Sequence, residues 1–117
     1  MRHHNHNRTL SRTRRGRTAL LRGLARSLIM HGSISTTEAK ARELRPYIER
    51  LITRAKIDSV AARRMVSARL GEPTPETIEK LFRDVAPTYT DRAGGYTRIV
   101  KMGPTAAGRR EAVIELV

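Results

Sequence analysis

The chain has 117 residues, 38% of them hydrophobic, with a formal net charge of +13 and no cysteine or tryptophan. That length is one domain's worth, and four aromatics (Tyr47, Phe82, Tyr89 and Tyr96) leave a small core of Leu, Ile, Val and Ala. Disulfides, zinc–thiolate sites and thiol catalysis are excluded, and the longest apolar run is three residues, too short for a membrane span or a secretory leader.

The charge is lopsided. Residues 1–37 hold eight Arg and no Asp or Glu, so they carry +8, and the remaining 80 residues carry +5. Arg outnumbers Lys by 20 to 4. A GC-rich genome accounts for Arg over Lys but not for a net +13, which calls for an anionic partner. Guanidinium is planar and forks onto phosphate, as ammonium does not.

Residues 1–16 lack apolar periodicity and are expected to be a basic extension, disordered when free; residues 17–117 are expected to form a single domain. The pattern changes at Thr18. Leu21, Leu24 and Leu28 share a helical face with Arg22 and Arg26 opposite, predicting a helix from about 17 to 31 stopped by Gly32. Arg15 joins the basic face if the helix starts a turn earlier. Residues 33–36 (SIST) read as a brief strand, and Thr36 or Thr37 caps a second helix. Leu44, Ile48, Leu51, Ile52 and Ala55 recur on its inner face, and Pro46 is expected to kink it or to mark a fresh start. Asp58 is the expected cap of a third helix ending near Gly71, with Ala61, Met65 and Ala68 as its stripe. Thr74-Pro75 opens a fourth helix carrying Ile78, Leu81, Phe82 and Val85, and Pro87 closes it. Tyr96–Met102 and Glu111–Val117 read as a β-hairpin around a basic tip, with the core-facing side of its strands undecided. The order of helix, short strand, three helices and hairpin predicts an α+β fold in two layers.

Three readings compete for the N-terminus. His3, His4 and His6, with His31 later, invite a metal, but they sit among arginines whose charge repels a cation, so no metal or cofactor is expected. A transit peptide is also rich in Arg and Ser and poor in acids, yet here the basic pattern runs on into a helix with structural leucines. Nucleic acid explains more. Arg8, Arg12, Arg14, Arg15, Arg17, Arg22 and Arg26 each offer a phosphate contact, and an arm that orders on its target reaches crevices of a folded RNA. A second basic site is Arg92-Ala93-Gly94-Gly95-Tyr96-Thr97-Arg98, where two glycines admit an anion to the backbone and Tyr96 offers a stacking face. The bland alternative is a tight turn with Tyr96 packed inside. Acids spaced four residues from basic partners, Arg45 with Glu49 and Glu76 with Lys80, read as surface pairs. No phosphate-binding loop, metalloprotease signature or paired-carboxylate arrangement is present, and nothing points to an enzyme.

Several stretches carry a resemblance. Met1-Arg2-His3, Arg8-x-Leu10-x-Arg12, the run from Ile34 to Arg45 (ISTTEAKARELR), Leu51-Ile52-Thr53-x-Ala55-Lys56, Gly94–Lys101 (GGYTRIVK) and the closing Ile114-Glu115-Leu116-Val117 resemble the bacterial large-subunit ribosomal protein seventeen family. The resemblance covers essentially the whole chain. It implies a non-enzymatic structural constituent of the 50S subunit, cytoplasmic and ribosome-bound, near the peptide exit region. Its partners would be 23S rRNA and neighbouring large-subunit ribosomal proteins, with no membrane or small-molecule substrate. By the same resemblance Arg2, His3, Arg8 and Arg12 match the family's arm, and Lys40, Tyr96, Arg98 and Lys101 match its body motifs. His4-Asn5-His6-Asn7 departs from the family's pattern, and residues 70–77 match loosely. The alternative from another class is a free nucleic-acid-binding regulator. It needs a helix-turn-helix with base-reading side chains, and no such pair is visible.

Overall fold

A computed structural model describes residues 13–117. Helix α1 (Arg14–His31) starts at Thr13, whose hydroxyl accepts from the Gly16 amide at 3.1 Å. The start therefore lies a turn earlier than the apolar pattern alone predicts, because a cap needs no apolar residue. Gly32 ends the helix in the left-handed region (φ 80°) and returns its N–H to the Leu28 carbonyl. Strand β1 (Ser33–Thr37) leads into α2 (Glu38–Ala55), capped by Thr37 through the Lys40 amide.

Pro46 neither restarts α2 nor divides it; the helix is continuous across it. The proline lies on the exposed face, where water can serve the carbonyl it leaves unpaired, while buried Leu44 and Ile48 hold both sides to the core.

Helix α3 (Val60–Arg69) corrects two expectations. Its cap is Ser59, accepting from the Ala62 amide at 3.0 Å, and Asp58 is engaged by the Arg63 guanidinium instead. Its buried contacts are Val66 and the following Leu70, with Ala62 packed at the margin, whereas Ala61, Met65 and Ala68 are exposed. In a helix so rich in Ala and Arg, a stripe of three small residues gives too weak a period to fix rotation.

The fourth helical run comprises α4 (Pro75–Glu79), a π-wound segment (Lys80–Val85) and α5 (Ala86–Thr88). Leu81, Phe82 and Val85 are buried as their spacing predicts. Lys80 pairs with Asp84 at 3.5 Å, where the spacing had suggested Glu76.

Strands β2 (Thr97–Pro104) and β3 (Arg110–Leu116) form the hairpin, and β3 is the central strand of an antiparallel sheet ordered β1-β3-β2. Ile34, Ile114 and Ile99 lie side by side across it and join the core, so this row faces the helices; the adjacent row of Ser35, Val113 and Val100 faces outward. A register shift between Lys101 and Gly103 blurs the alternation of β2. The result is an α+β fold, helices on one face of a three-stranded sheet.

Candidate nucleic-acid interface

Arg2, His3, Arg8 and Arg12 lie outside the described residues. Arg14 and Arg15 are exposed in the first turn of α1, which has no acidic residue. Neither forms an ion pair among the described residues. Arg17 follows, half-buried. Cations at a helix N-terminus oppose the positive end of the macrodipole, so this turn is electrostatically unsatisfied until an anion meets it.

Arg22 and Arg26 are placed differently. The Arg22 Nε donates to the Arg69 carbonyl at 3.2 Å, and its Nη2 to Ala68 at 3.4 Å. The Arg26 Nη1 donates to the Leu70 carbonyl at 2.8 Å. Tyr47 adds a third donor, its hydroxyl bonding the Arg69 carbonyl; burial pushes that hydroxyl up from its ordinary pKa and keeps it protonated. Together these groups satisfy the orphan carbonyls ending α3 and place positive charge at its negative pole. The expected basic stripe on α1 is therefore open at Arg14 and Arg15, while Arg22 and Arg26 serve the fold.

Around Arg92–Arg98 the tight-turn reading describes the structure. Tyr96 is fully buried, its ring 5.1 Å from that of Tyr89, so it presents no stacking face to solvent. Its hydroxyl lies 3.1 Å from Thr53 Oγ1 and 3.2 Å from the Arg92 carbonyl. Lys56 donates to the same carbonyl and sits 4.8 Å from the Tyr96 ring centre. Thr97 binds Glu49 Oε2 through its amide at 3.3 Å and its hydroxyl at 2.8 Å. Arg92 is exposed, with Nη1 donating to the Gly95 carbonyl at 3.3 Å. Gly94 (φ 148°) and Gly95 (φ 65°) both lie in backbone regions that side chains avoid, which is why the turn needs two glycines.

Arg98 is exposed but bonded to Glu115, and Lys101 lies 3.7 Å from Glu38, which Arg42 also holds at 2.5 Å. The cations of these pairs are exposed, whereas Glu38 and Glu115 are half-buried or less accessible still. Lys40 is half-buried in the first turn of α2.

The sequence reading missed a third group. Arg50, Arg54 and Arg69 border a groove of about 440 Å3 between α2, α3 and the turn at Ala93–Gly94. The spacing of Arg50 and Arg54 was visible, but Arg69 joins them only through the rotation of α3, which the sequence did not fix. Among the described residues no cluster of His, Asp and Glu is arranged to hold a metal, and no helix is long and apolar enough to cross a membrane.

The family model for ribosomal protein L17 matches residues 20–117. The chain belongs to the ribosomal protein L17 family. The L17 relatives extend the match through the N-terminal residues. A protein of Gemmatimonas aurantiaca named large ribosomal subunit protein bL17 is 48% identical, covering all of this chain and 98% of the relative. A protein of the same name from Novosphingobium aromaticivorans is 51% identical over all of this chain and 82% of its own length. One from an Exiguobacterium species is 49% identical over 92% of this chain and 96% of its own. The L17 family is a family of ribosomal proteins, not of enzymes.

Proposed function

We propose that this chain is a structural constituent of the large ribosomal subunit that binds 23S rRNA and supports its assembly. Residues 1–16 form the basic arm, with Arg2, His3, Arg8 and Arg12 as phosphate contacts, and Arg14 and Arg15 carry the arm onto α1. The folded body of residues 17–117 docks through Lys40, the Arg92–Gly95 turn, Arg98 and Lys101, beside neighbouring ribosomal proteins. Its site of action is the ribosome in the cytoplasm.

The observation that carries this reading is the acid-free run of 37 residues that contains the whole of α1, whose positive end bears Arg14 and Arg15 without an ion-pair partner among the described residues. A free protein gains nothing from cations placed there, whereas an rRNA phosphate relieves them. L17 family membership supplies the ribosomal context.

Sedimentation of a tagged copy through a sucrose gradient in magnesium and moderately high salt tests the assignment. Stoichiometric co-migration with the large subunit is expected; recovery at the top of the gradient overturns it. Deleting residues 2–12 removes three arginines and should lower the slope of log affinity against log salt by roughly three. An unchanged slope removes the arm from the mechanism.

A further inference from the structure

The groove bordered by Arg50, Arg54 and Arg69 is basic at its rim and apolar within. Leu51, Val66 and Tyr96 lie buried beneath it, and its accessible apolar surface comes from Pro46, half-buried Tyr47 and Met65, which is 40% exposed. None of the three guanidinium groups is in an ion pair among the described residues. Glu49 also lines the groove, but its carboxylate already accepts two hydrogen bonds from Thr97 and lies 3.6 Å from Arg45. The local field is therefore positive.

One wall is fixed before any ligand arrives. Lys56 and Tyr96 both donate to the Arg92 carbonyl, which holds the turn at Ala93–Gly94 against the end of α2. A wall already ordered loses little entropy on binding. At about 440 Å3 the space lies in the range of roughly 300–1,000 Å3 typical of small-ligand sites, far too small for a duplex.

We infer that this groove takes one unpaired nucleotide of the rRNA, its base against Met65, Tyr47 and Pro46 and its phosphate among Arg50, Arg54 and Arg69. RNA is recognised in this way where a base leaves its stack: an apolar or guanidinium face replaces the lost stacking, and cations take the backbone. An acidic side chain satisfies the arginines but leaves the apolar side at Met65, Tyr47 and Pro46 uncovered, so the nucleotide fits both halves of the groove. The inference rests on the rRNA-binding reading and adds a site on the body, remote from the arm in sequence.

Two photo-cross-linking variants of the full chain separate the two claims. Met65→p-benzoylphenylalanine reports on the groove, and Ala19→p-benzoylphenylalanine, on the exposed side of α1, reports on the arm region. Both are bound to deproteinised large-subunit rRNA and irradiated, and the cross-linked nucleotides are mapped beside chemical probing of base pairing. The expected result is a Met65 cross-link confined to one unpaired position or its immediate neighbour. A cross-link from Ala19 alone, or one from Met65 to paired nucleotides, overturns the groove and leaves the rRNA-binding reading standing. In whole subunits, a Met65 cross-link to another protein also overturns it. No RNA cross-link from either position sinks both claims.

Arg54→Gln and Arg69→Gln, at exposed positions, give a second reading that does not depend on the probe. Each should lower the salt slope of rRNA binding by about one with an unchanged Tm. Unchanged slopes in both variants overturn the inference.

Discussion

Helix α1 uses the same residue type in opposite ways in its first turn and along its middle. Arg14 and Arg15 stand exposed where the helix dipole is positive, and no carboxylate among the described residues meets them. Two to three turns later Arg22 and Arg26 bridge to the carbonyls that end α3. The first pair adds no stability to the free protein and suits an anion; the second pair joins two helices. A count of arginines on a helical wheel treats all four alike, and the difference comes from what lies opposite each guanidinium in the folded chain.

The largest effect should come from erasing the structural pair. In Arg22→Ala/Arg26→Ala the last carbonyls of α3 lose their charged donors, and urea unfolding should show a loss of about 2–3 kcal/mol. The same two changes at Arg14 and Arg15 should cost no stability. If both doubles unfold at the same denaturant concentration, the contrast between the two pairs on α1 is wrong.

Gly71 sharpens the contrast from the α3 side. It has φ +74°, and an added Cβ would stand 3.0 Å from Arg22 Cδ. Gly71→Ala therefore both strains the backbone and displaces one of the bridging arginines, and should cost about 1–2 kcal/mol. Adding Arg22→Ala to Gly71→Ala relieves the contact, so the two changes should be less than additive in thermal unfolding. Strict additivity would mean that the glycine is required by backbone conformation alone.

Arg14→Ala/Arg15→Ala should raise stability slightly, by about 0.3–1 kcal/mol for each cation removed from the positive end of the dipole. The same variant should bind large-subunit rRNA more weakly, measured by filter binding at fixed salt. A variant that is less stable and binds equally well would reverse the roles assigned to the two pairs.

Strong local signals made most of the fold legible. Thr37, Gly32 and the Leu44–Ile48–Leu51–Ile52 face are each set by short-range chemistry, and the structure has them where the pattern places them. Asp58 and Ser59 are adjacent and equally good caps, so the choice between them depended on Arg63 engaging Asp58. The hairpin's inner face was hidden by the bulge at Lys101–Gly103, and became clear only from the pairing of Ile99, Ile114 and Ile34. For the interface, sequence supplied the charge and its position along the chain. It offered the burial of Tyr96 only as one of two readings, and could not supply the partners of Arg22 and Arg26 or the meeting of Arg69 with Arg50 and Arg54, because each is a tertiary contact.

The two ends of α3 offer the finest test, because one is held by groups that titrate in acid and the other is not. At the start of α3, Arg63 bonds Asp58 and Glu79, each at 2.7 Å. Its hydrogen bonds hold both carboxyls below their ordinary pKa values. A depressed carboxylate adds stability that is present above its unfolded pKa and is lost as pH falls through the folded one. The window therefore runs downward from about pH 4, the ordinary carboxylate range. Over it the Arg63 Nε–H signal should move in NMR spectra as the pairs open. The donors from Arg22 and Arg26 go to backbone carbonyls, which take up no proton in that range, so their Nε–H signals should hold still. Both carboxylates are solvent-exposed, so the stability change should be the smallest of the four, and Arg63→Gln should remove the share of Asp58 and leave that of the Arg83–Glu79 pair. An acid-induced shift at Arg22 or Arg26 as large as that at Arg63 would show that α3 loosens as one unit rather than from its first turn.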